Sequence, residues 1–381
     1  MDKILFLTHN DGLLGSSRSL LDLLEGLKIL GINPFVSIPK PGLLKQHLED
    51  RQILATITLI PWWMTKQSRS LSRIRDFQKE SKQSLKTLSE SVNQWKIDLI
   101  YSNSSVFPIG RMLAKNSRIP HVWHIREFGD LDFSLKYIFP KWLCQRYIRT
   151  SQAIICNSQA VKKHLFKNWS SEKLHVIYNG VATKARFDQL AEQSQQREDS
   201  DVYTFLFIGS LSPKKGLEVA IKACAELIAK GVNVRLKIVG SGRDSYVSHC
   251  RNLAESLGVS AFVEFNGYMP DPYDAYLNSD CLLMCSEHEA FGRVTAEAMA
   301  ACLPVIGRNS GGTPEVIVDG ETGYLFNTFE ELVEAMLKLA KNPEQGQKMG
   351  RAGWQRARDL FNIEDYAANV YRVIQSVMEK R

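Results

Sequence analysis

The chain lacks any run of about 18 apolar residues, so no segment reads as a membrane-spanning helix. Its opening, MDKILFLTHN, carries one Lys and a very short apolar run. It has neither the length nor the cleavage site of a secretory leader, and none is expected. Cysteine is sparse. The seven residues Cys144, Cys156, Cys224, Cys250, Cys281, Cys285 and Cys302 are odd in number and scattered. That excludes a disulfide scaffold and fits free thiols in a reducing cytoplasm. Cys281 and Cys285 have no second Cys/His pair nearby to complete a zinc site, so they read as buried strand thiols. The loop after the first apolar run, GLLGSS, does not supply G-x-G-x-x-G, which argues against a dinucleotide-dependent oxidoreductase. No nucleic-acid-binding module occurs, and no nucleic-acid partner is expected.

What remains is an ordinary globular composition: 381 residues, 44% hydrophobic and 23% charged. The length suggests two domains, each able to bury a core. Charge divides the same way. Residues 1–180 hold 26 Lys and Arg against 14 Asp and Glu, or +12; residues 181–381 hold 22 against 27, or −5. A basic half points to phosphate or an anionic membrane face.

Short apolar runs alternate with helical patterns. Lys3–Thr8, Asn33–Ile38, Ile57–Ile60, Asp98–Tyr101, His121–His124 and Ala153–Cys156 read as strands, and 68–95 as a long polar helix. The pattern restarts with Tyr203–Ile208, Arg235–Val239, Val263–Phe265, Cys281–Met284 and Pro304–Ile306. Strand–helix alternation implies parallel sheets covered on both faces. Residues 183–201 are almost empty of large apolar side chains and read as a linker region, partly helical. The expected boundaries are 1–182, 183–201 and 202–361. Two doubly wound units predict a cleft faced by the carboxyl ends of both sheets.

Ser286–Ile306, SEHEAFGRVTAEAMAACLPVI, is the most informative segment. A strand precedes a loop with Glu289, then Ala290-Phe291-Gly292, then a helix from about Arg293 that carries Glu297. N–H groups at that helix start favour an anion, and Gly292 lets a ligand approach the backbone. Two carboxylates flanking an anion site suit a nucleotide sugar. Alone, the segment would also pass for a solvent-facing amphipathic helix.

The segment resembles the E-x7-E signature of retaining glycosyltransferases of the GT-B fold, family 4. It matches at Ser286, Glu289, Phe291, Gly292, Glu297, Ala298, Met299, Ala300, Pro304, Val305 and Ile306. Ala290 and Cys302 stand where the family has glycine. Gly311-Gly312-Thr313-Pro314-Glu315 with VIVDGETGYLF resembles the family's glycine turn and hairpin. FLFIGSLSPKKG resembles its G-R-L-x-x-x-K-G, with Lys215 at the lysine and Ser210 in place of the arginine. Gly240-Ser241-Gly242 forms a strand-end turn, and Asn179-Gly180-Val181 resembles the close of the first domain. Asp11–Ser19 resembles the first glycine loop, keeping Gly15, with Ser16 and Ser17 able to cap the next helix. His124, in PHVWHIRE, sits at the family's histidine position; His121 does not.

The resemblance implies an α/β chain of two Rossmann-like domains, with the last helix, 362–381, crossing back to the first domain. It also implies hexosyl transfer, with retention and without a metal or cofactor, from a nucleoside-diphosphate sugar, UDP favoured and GDP possible. The acceptor would be lipid-linked, a polysaccharide or a small molecule. Gly15, Ser16, Ser210, Lys215, Gly240, Ala290, Phe291, Gly292 and Arg293 would lie on the donor. Glu289 would hold the transferred sugar and Glu297 the ribose. His124 would position the reacting groups, and Asn103, Ser104, Arg126 and Glu127 would shape the acceptor side. The alternative is a GT-B chain with weakened catalysis that binds nucleotide sugars.

The basic half mixes aromatics into its charge. KYIFPKWLCQRYIRT (136–150) interleaves Tyr137, Phe139, Trp142 and Tyr147 with Lys136, Lys141, Arg146 and Arg149. That suits an anionic membrane surface and a peripheral place on the inner face of the cell membrane. A core-packing helix with a solvated basic face fits equally. Trp62-Trp63 is a second candidate contact.

Overall fold

A computed structural model describes residues 2–67, 69–197 and 200–380. Ser68, at the start of the expected long helix, Glu198 and Asp199 of the expected linker, and the terminal Met1 and Arg381 lie outside the described residues. The chain divides into two units, residues 1–180 with 363–381, and residues 181–362.

The first unit is built on seven strands: β1 (Lys3–Leu7), β2 (Asn33–Ile38), β3 (Leu54–Ile57), β4 (Leu99–Ser102), β5 (His121–Ile125), β6 (Ala153–Cys156) and β7 (Leu174–Val176). Every pairing is parallel, in the order β3-β2-β1-β4-β5-β6-β7. Continuous apolar runs such as KILFL fit strands with both faces covered. The helices that matter below are α1 (Gly15–Ile29), α2 (Leu71–Trp95), α3 (Ile109–Ser117) and α4 (Lys141–Ile148). Leu20, Leu23, Leu24 and Leu27 form the buried stripe of α1 over Ile4 and Phe6.

The second unit repeats the plan. It begins with α5 (Lys184–Ser194), then β8 (Tyr203–Ile208), β9 (Val234–Val239), β10 (Val263–Phe265), β11 (Cys281–Met284), α6 (Arg293–Ala300), β12 (Val305–Arg308), β13 (Gly323–Phe326) and α7 (Pro343–Leu360). Its order, β10-β9-β8-β11-β12-β13, is again all parallel. The last helix, α8 (Ile363–Met378), belongs to the first unit and packs on α1. A Cβ on Gly26 would lie 2.4 Å from Ala367 Cβ, so the two helices touch through glycine.

Three expectations are corrected. In the expected linker region, Lys184–Ser194 is a docked helix of the second unit and not a connector. Thr183 caps α5, Phe187 and Leu190 are fully buried, and Arg358 of α7 pairs with Asp188 at 2.7 Å. Two large apolar residues three apart suffice to dock a short helix. VIVDGETGYLF is not a hairpin either. Thr313–Val316 is helical, Val318–Thr322 closes a turn, and Gly323–Phe326 joins β12 in parallel. The strand expected at Ile57–Ile60 lies three residues earlier, where Leu54–Ile57 finds register on Phe35–Ile38.

Candidate functional site

In both sheets the chain leaves the first strand for one neighbour and later returns to the other side. The crevices in such sheets lie at that switch, beyond the strand carboxyl ends. In the second unit the switch falls between β8 and β11. The loop after β8 carries Ser210 and Lys215; the loop after β11 carries Glu289. Lys215 Nζ donates to Glu289 Oε2 at 2.7 Å, across 74 residues of sequence. Both side chains are partly open, 33% and 17% exposed. A single turn, Pro213–Lys215, presents the lysine, and Lys214 O accepts from Glu287 N, tying the loops together. Ser210 is exposed.

Gly292 starts α6 at φ 92°, a conformation that favours glycine, with no side-chain cap on the helix. Glu289 Cγ lies 3.6 Å from where its Cβ would be. The lysine, the carboxylate and an uncapped helix start are therefore neighbours. Phe291 is buried against Phe361. Gly311 and Gly312 fold onto this loop: Gly312 N donates to Glu289 O at 2.7 Å, and a Cβ there would reach Ala290 O at 2.6 Å. These glycines let one loop pack on another. Gly240 does similar work, since its Cβ would sit 1.8 Å from Gly209 O.

Glu297, one turn into α6, is almost buried. Its Oε1 accepts from Arg293 Nε at 2.6 Å and its Oε2 from Tyr276 hydroxyl at 3.0 Å. Burial, with the carboxylate beside it, raises the Tyr276 pKa well above its usual value and keeps it a donor. Tyr276 lies 21 residues before Glu297 and gave no sequence signal.

In the first unit the switch falls between β1 and β4. Gly15 is the exposed first residue of α1, and Leu14 occupies the cap position without a side-chain bond. The capping expected of Ser16 and Ser17 is therefore corrected. Ser16 Oγ accepts from Asn10, and Ser17 Oγ is buried without a partner. Asn103 and Ser104 follow β4, and Arg126 and Glu127 follow β5; all four are buried. Arg126 donates to Asn103 Oδ1 and Asn179 Oδ1, each at 2.6 Å, and to Tyr366 hydroxyl at 2.8 Å. Its three acceptors are neutral. Glu127 Oε1 accepts from Ser104 Oγ, Ser105 N and Ser105 Oγ at 2.6–2.9 Å, yet burial outweighs these bonds and raises its pKa.

His124 lies within β5, fully buried. Its Nδ1 bonds Tyr101 hydroxyl, and its Nε2 has no partner. Burial, reinforced by Arg126, holds its pKa well down, so it is neutral. His121 is buried between Ser102 and Ser151. His9, at the end of β1, escaped the sequence reading. It meets Trp62 edge-on at 5.0 Å, leaves Nδ1 unpartnered, and burial lowers its pKa to about 4. A polar residue directly after an apolar strand was the available signal. Trp63 is no surface contact: it is buried and stacks on Trp123.

Asp130-Leu131-Asp132 has Asp-x-Asp spacing, but both carboxylates serve local structure. Asp132 accepts from Phe128 N and Gly129 N, and Asp130 pairs with Lys141 and His164. A second such triplet, 199–201, includes Asp199, outside the described residues. The described cysteines are free; burial raises Cys285 to about 12, and the Cys281 thiol lies beside it in the core.

Comparison with known proteins matches both units. Residues 188–356 fit the profile of glycosyl transferases group 1, and residues 14–185 fit that of glycosyltransferase family 4. An uncharacterized glycosyltransferase of Methanocaldococcus jannaschii is 28% identical over 74% of this chain and 76% of its own. Alpha-monoglucosyldiacylglycerol synthase of Acholeplasma laidlawii is 23% identical over 87% and 85%. Among solved structures, Anabaena HepE in complex with UDP and glucose superposes with a TM-score of 0.80. It is 22% identical and covers 99% of this chain and 100% of that one, a likeness of fold. The two profiles, one on each Rossmann-like unit and together spanning nearly the whole chain, place this protein in the GT-B group 1 and family 4 glycosyltransferases.

Proposed function

We propose that the chain transfers a hexosyl group from a nucleoside-diphosphate sugar, with retention at the anomeric carbon and without a metal. The observation that carries this is the Lys215–Glu289 pair beside the uncapped start of α6. The similarity to HepE, solved with UDP and with UDP-glucose, supports a UDP-sugar, with GDP-sugars as second choice. On donor binding the ammonium turns to the diphosphate and the carboxylate to the sugar hydroxyls. As the sugar leaves, charge grows on the β-phosphate, and Lys215, Ser210 and the α6 start stabilise it. Glu297 takes the ribose hydroxyls; each of its oxygens keeps a free lone pair beside its present partner. The acceptor hydroxyl bonds the anomeric carbon as that carbon's bond to the β-phosphate oxygen breaks, and the hydroxyl proton passes to the departing phosphate; His124, neutral and buried, positions and does not act as general base.

The first unit takes the acceptor, which is lipid-linked, a polysaccharide or a small molecule. The test is turnover of UDP- and GDP-sugars in EDTA. Lys215→Ala and Glu289→Ala should each cost about 1.5–3 kcal/mol, roughly tenfold to a hundredfold in rate, with the fold intact. Wild-type turnover in either variant removes the assignment. Ser210, which brings no charge where relatives of this pattern carry arginine, favours a second reading as a sugar-nucleotide-binding protein with weakened catalysis. Donor binding without turnover would select it.

A further inference from the structure

The first unit holds a cavity of about 590 Å³ that no step above uses. It lies at the amino ends of the strands, whereas His124 and Arg126 lie at the carboxyl end of β5. Its walls come from the starts of β5, β6 and β7 and from the carboxyl-terminal ends of α3 and α8. Pro120, Ala153 and Val377 form a buried apolar floor. Arg111, Lys115, Arg118, Lys173 and Lys380 surround it, with Glu172 the one acid. These cations arrive from three separate stretches of chain.

The bland account is that basic residues at helix ends neutralise helix dipoles. Two helix carboxyl ends supply about half a negative charge each. With Glu172 that makes about −2 against five cations, leaving about +3. Glu172 relieves little of it: among the described residues, Lys115, Arg118, Lys173 and Lys380 make no ion pair. Arg111 is held in place by Thr150, through bonds of 3.1 and 3.2 Å. His175, also in the wall, has its pKa lowered by burial and then by Lys162 and Lys380, as expected for an unneutralised positive field. The volume suits a small ligand.

We propose that this cavity is a second anion site, which binds a phosphate- or diphosphate-bearing ligand against an apolar floor, at the end of the first unit's strands away from His124 and Arg126. The charge comes from a soluble phosphate or from a lipid phosphate headgroup, and the two are separable.

Calorimetric titration of the full chain decides it. Lys215→Ala protein is used, so that the donor loop does not contribute. One arm titrates inorganic pyrophosphate and the other soluble dioctanoyl phosphatidic acid. Each is repeated with Lys173→Glu and Lys380→Glu added. Both residues are exposed, make no ion pair among the described residues and lie outside the transfer machinery, so on a wild-type background they leave sugar turnover and melting temperature unchanged. At least tenfold weaker binding of either probe on charge reversal supports the site. Tighter binding of the lipid than of pyrophosphate assigns the headgroup source, and the reverse assigns a soluble phosphate. Binding of both probes that ignores the reversal, or no binding of either, overturns the proposal. Lys115→Gln with Arg118→Gln checks the result from the other wall.

Discussion

Lys215 and Glu289 show what single residues disclose and what they withhold. Each stood in a recognisable loop, but nothing in the sequence says that 74 residues close to a 2.7 Å contact. Arg126 is the sharper case. A guanidinium held by three neutral oxygens, one of them Tyr366 from 240 residues away, depends wholly on the tertiary fold. Cys302 was legible in part. A glycine of the family pattern is missing there, and the structure shows why glycine suits the place. Cys302 adopts φ 56°, and Leu303 N closes onto Ala298 O, the wide turn that ends a helix on a left-handed residue. A side chain in that conformation costs about 1 kcal/mol. Cys302→Gly should therefore stabilise the second unit by about 0.5–1 kcal/mol, or about 1–4 °C in melting temperature, after the lost thiol packing is counted. An unchanged or lower melting temperature would show that the backbone there is unstrained.

At the scale of elements, apolar runs were readable because both faces of these sheets are covered. YTFLFI and CLLM could only be strands. The short edge strand Leu174–Val176, with His175 at its centre, offered no such run and went unread. The slip from Ile57–Ile60 to Leu54–Ile57 has the same origin: at an edge, pairing sets register more than hydrophobicity does. That α8 returns to α1 was expected from resemblance; that Gly26 makes the contact is a packing fact. Gly26→Val would push into Ala367 and the Ile363 backbone, and should cost the first unit about 1–3 kcal/mol. Calorimetry should show its transition moving and the second unit's staying.

The aromatic stretch 136–150 resolves into two kinds of residue. Tyr137, Cys144 and Ile148 are buried, while Lys141, Trp142 and Leu143 are exposed, Trp142 by 65%. We propose that this exposed turn of α4 meets an anionic membrane. Trp142→Ala should weaken sedimentation with anionic vesicles about tenfold, a loss of 1–2 kcal/mol of apolar burial. Equal binding to neutral vesicles would leave the basic residues without a role.

For the whole molecule, the uneven charge first seen in the sequence coincides with the division into units. Residues 1–180 carry +12, and α8 with its tail adds three charges of each sign. Titration is uneven too. The four histidines whose protonation the fold disfavours, His9, His121, His124 and His175, all lie in the first unit. Their folded pKa values lie below the unfolded value near 6.5, so the unfolded chain binds more protons as pH falls past that point. Their contribution is complete above about pH 6.5 and is lost on acidification. Glu127 and Asp132, raised by burial, act in the opposite sense. Their contribution is present below about pH 4 and is lost as pH rises through their folded pKa values, so they only partly offset the histidines in acid. Two calorimetric transitions should therefore separate between pH 7 and 5, the first unit's falling faster, with Gly26→Val marking which it is. His9→Phe keeps the ring against Trp62 and Phe107 but cannot be protonated. It should recover about 1–2 kcal/mol of first-unit stability at pH 5 relative to pH 7. If the acid slope of that transition is the same with Phe at position 9, the half-buried imidazole is not a source of the pH dependence.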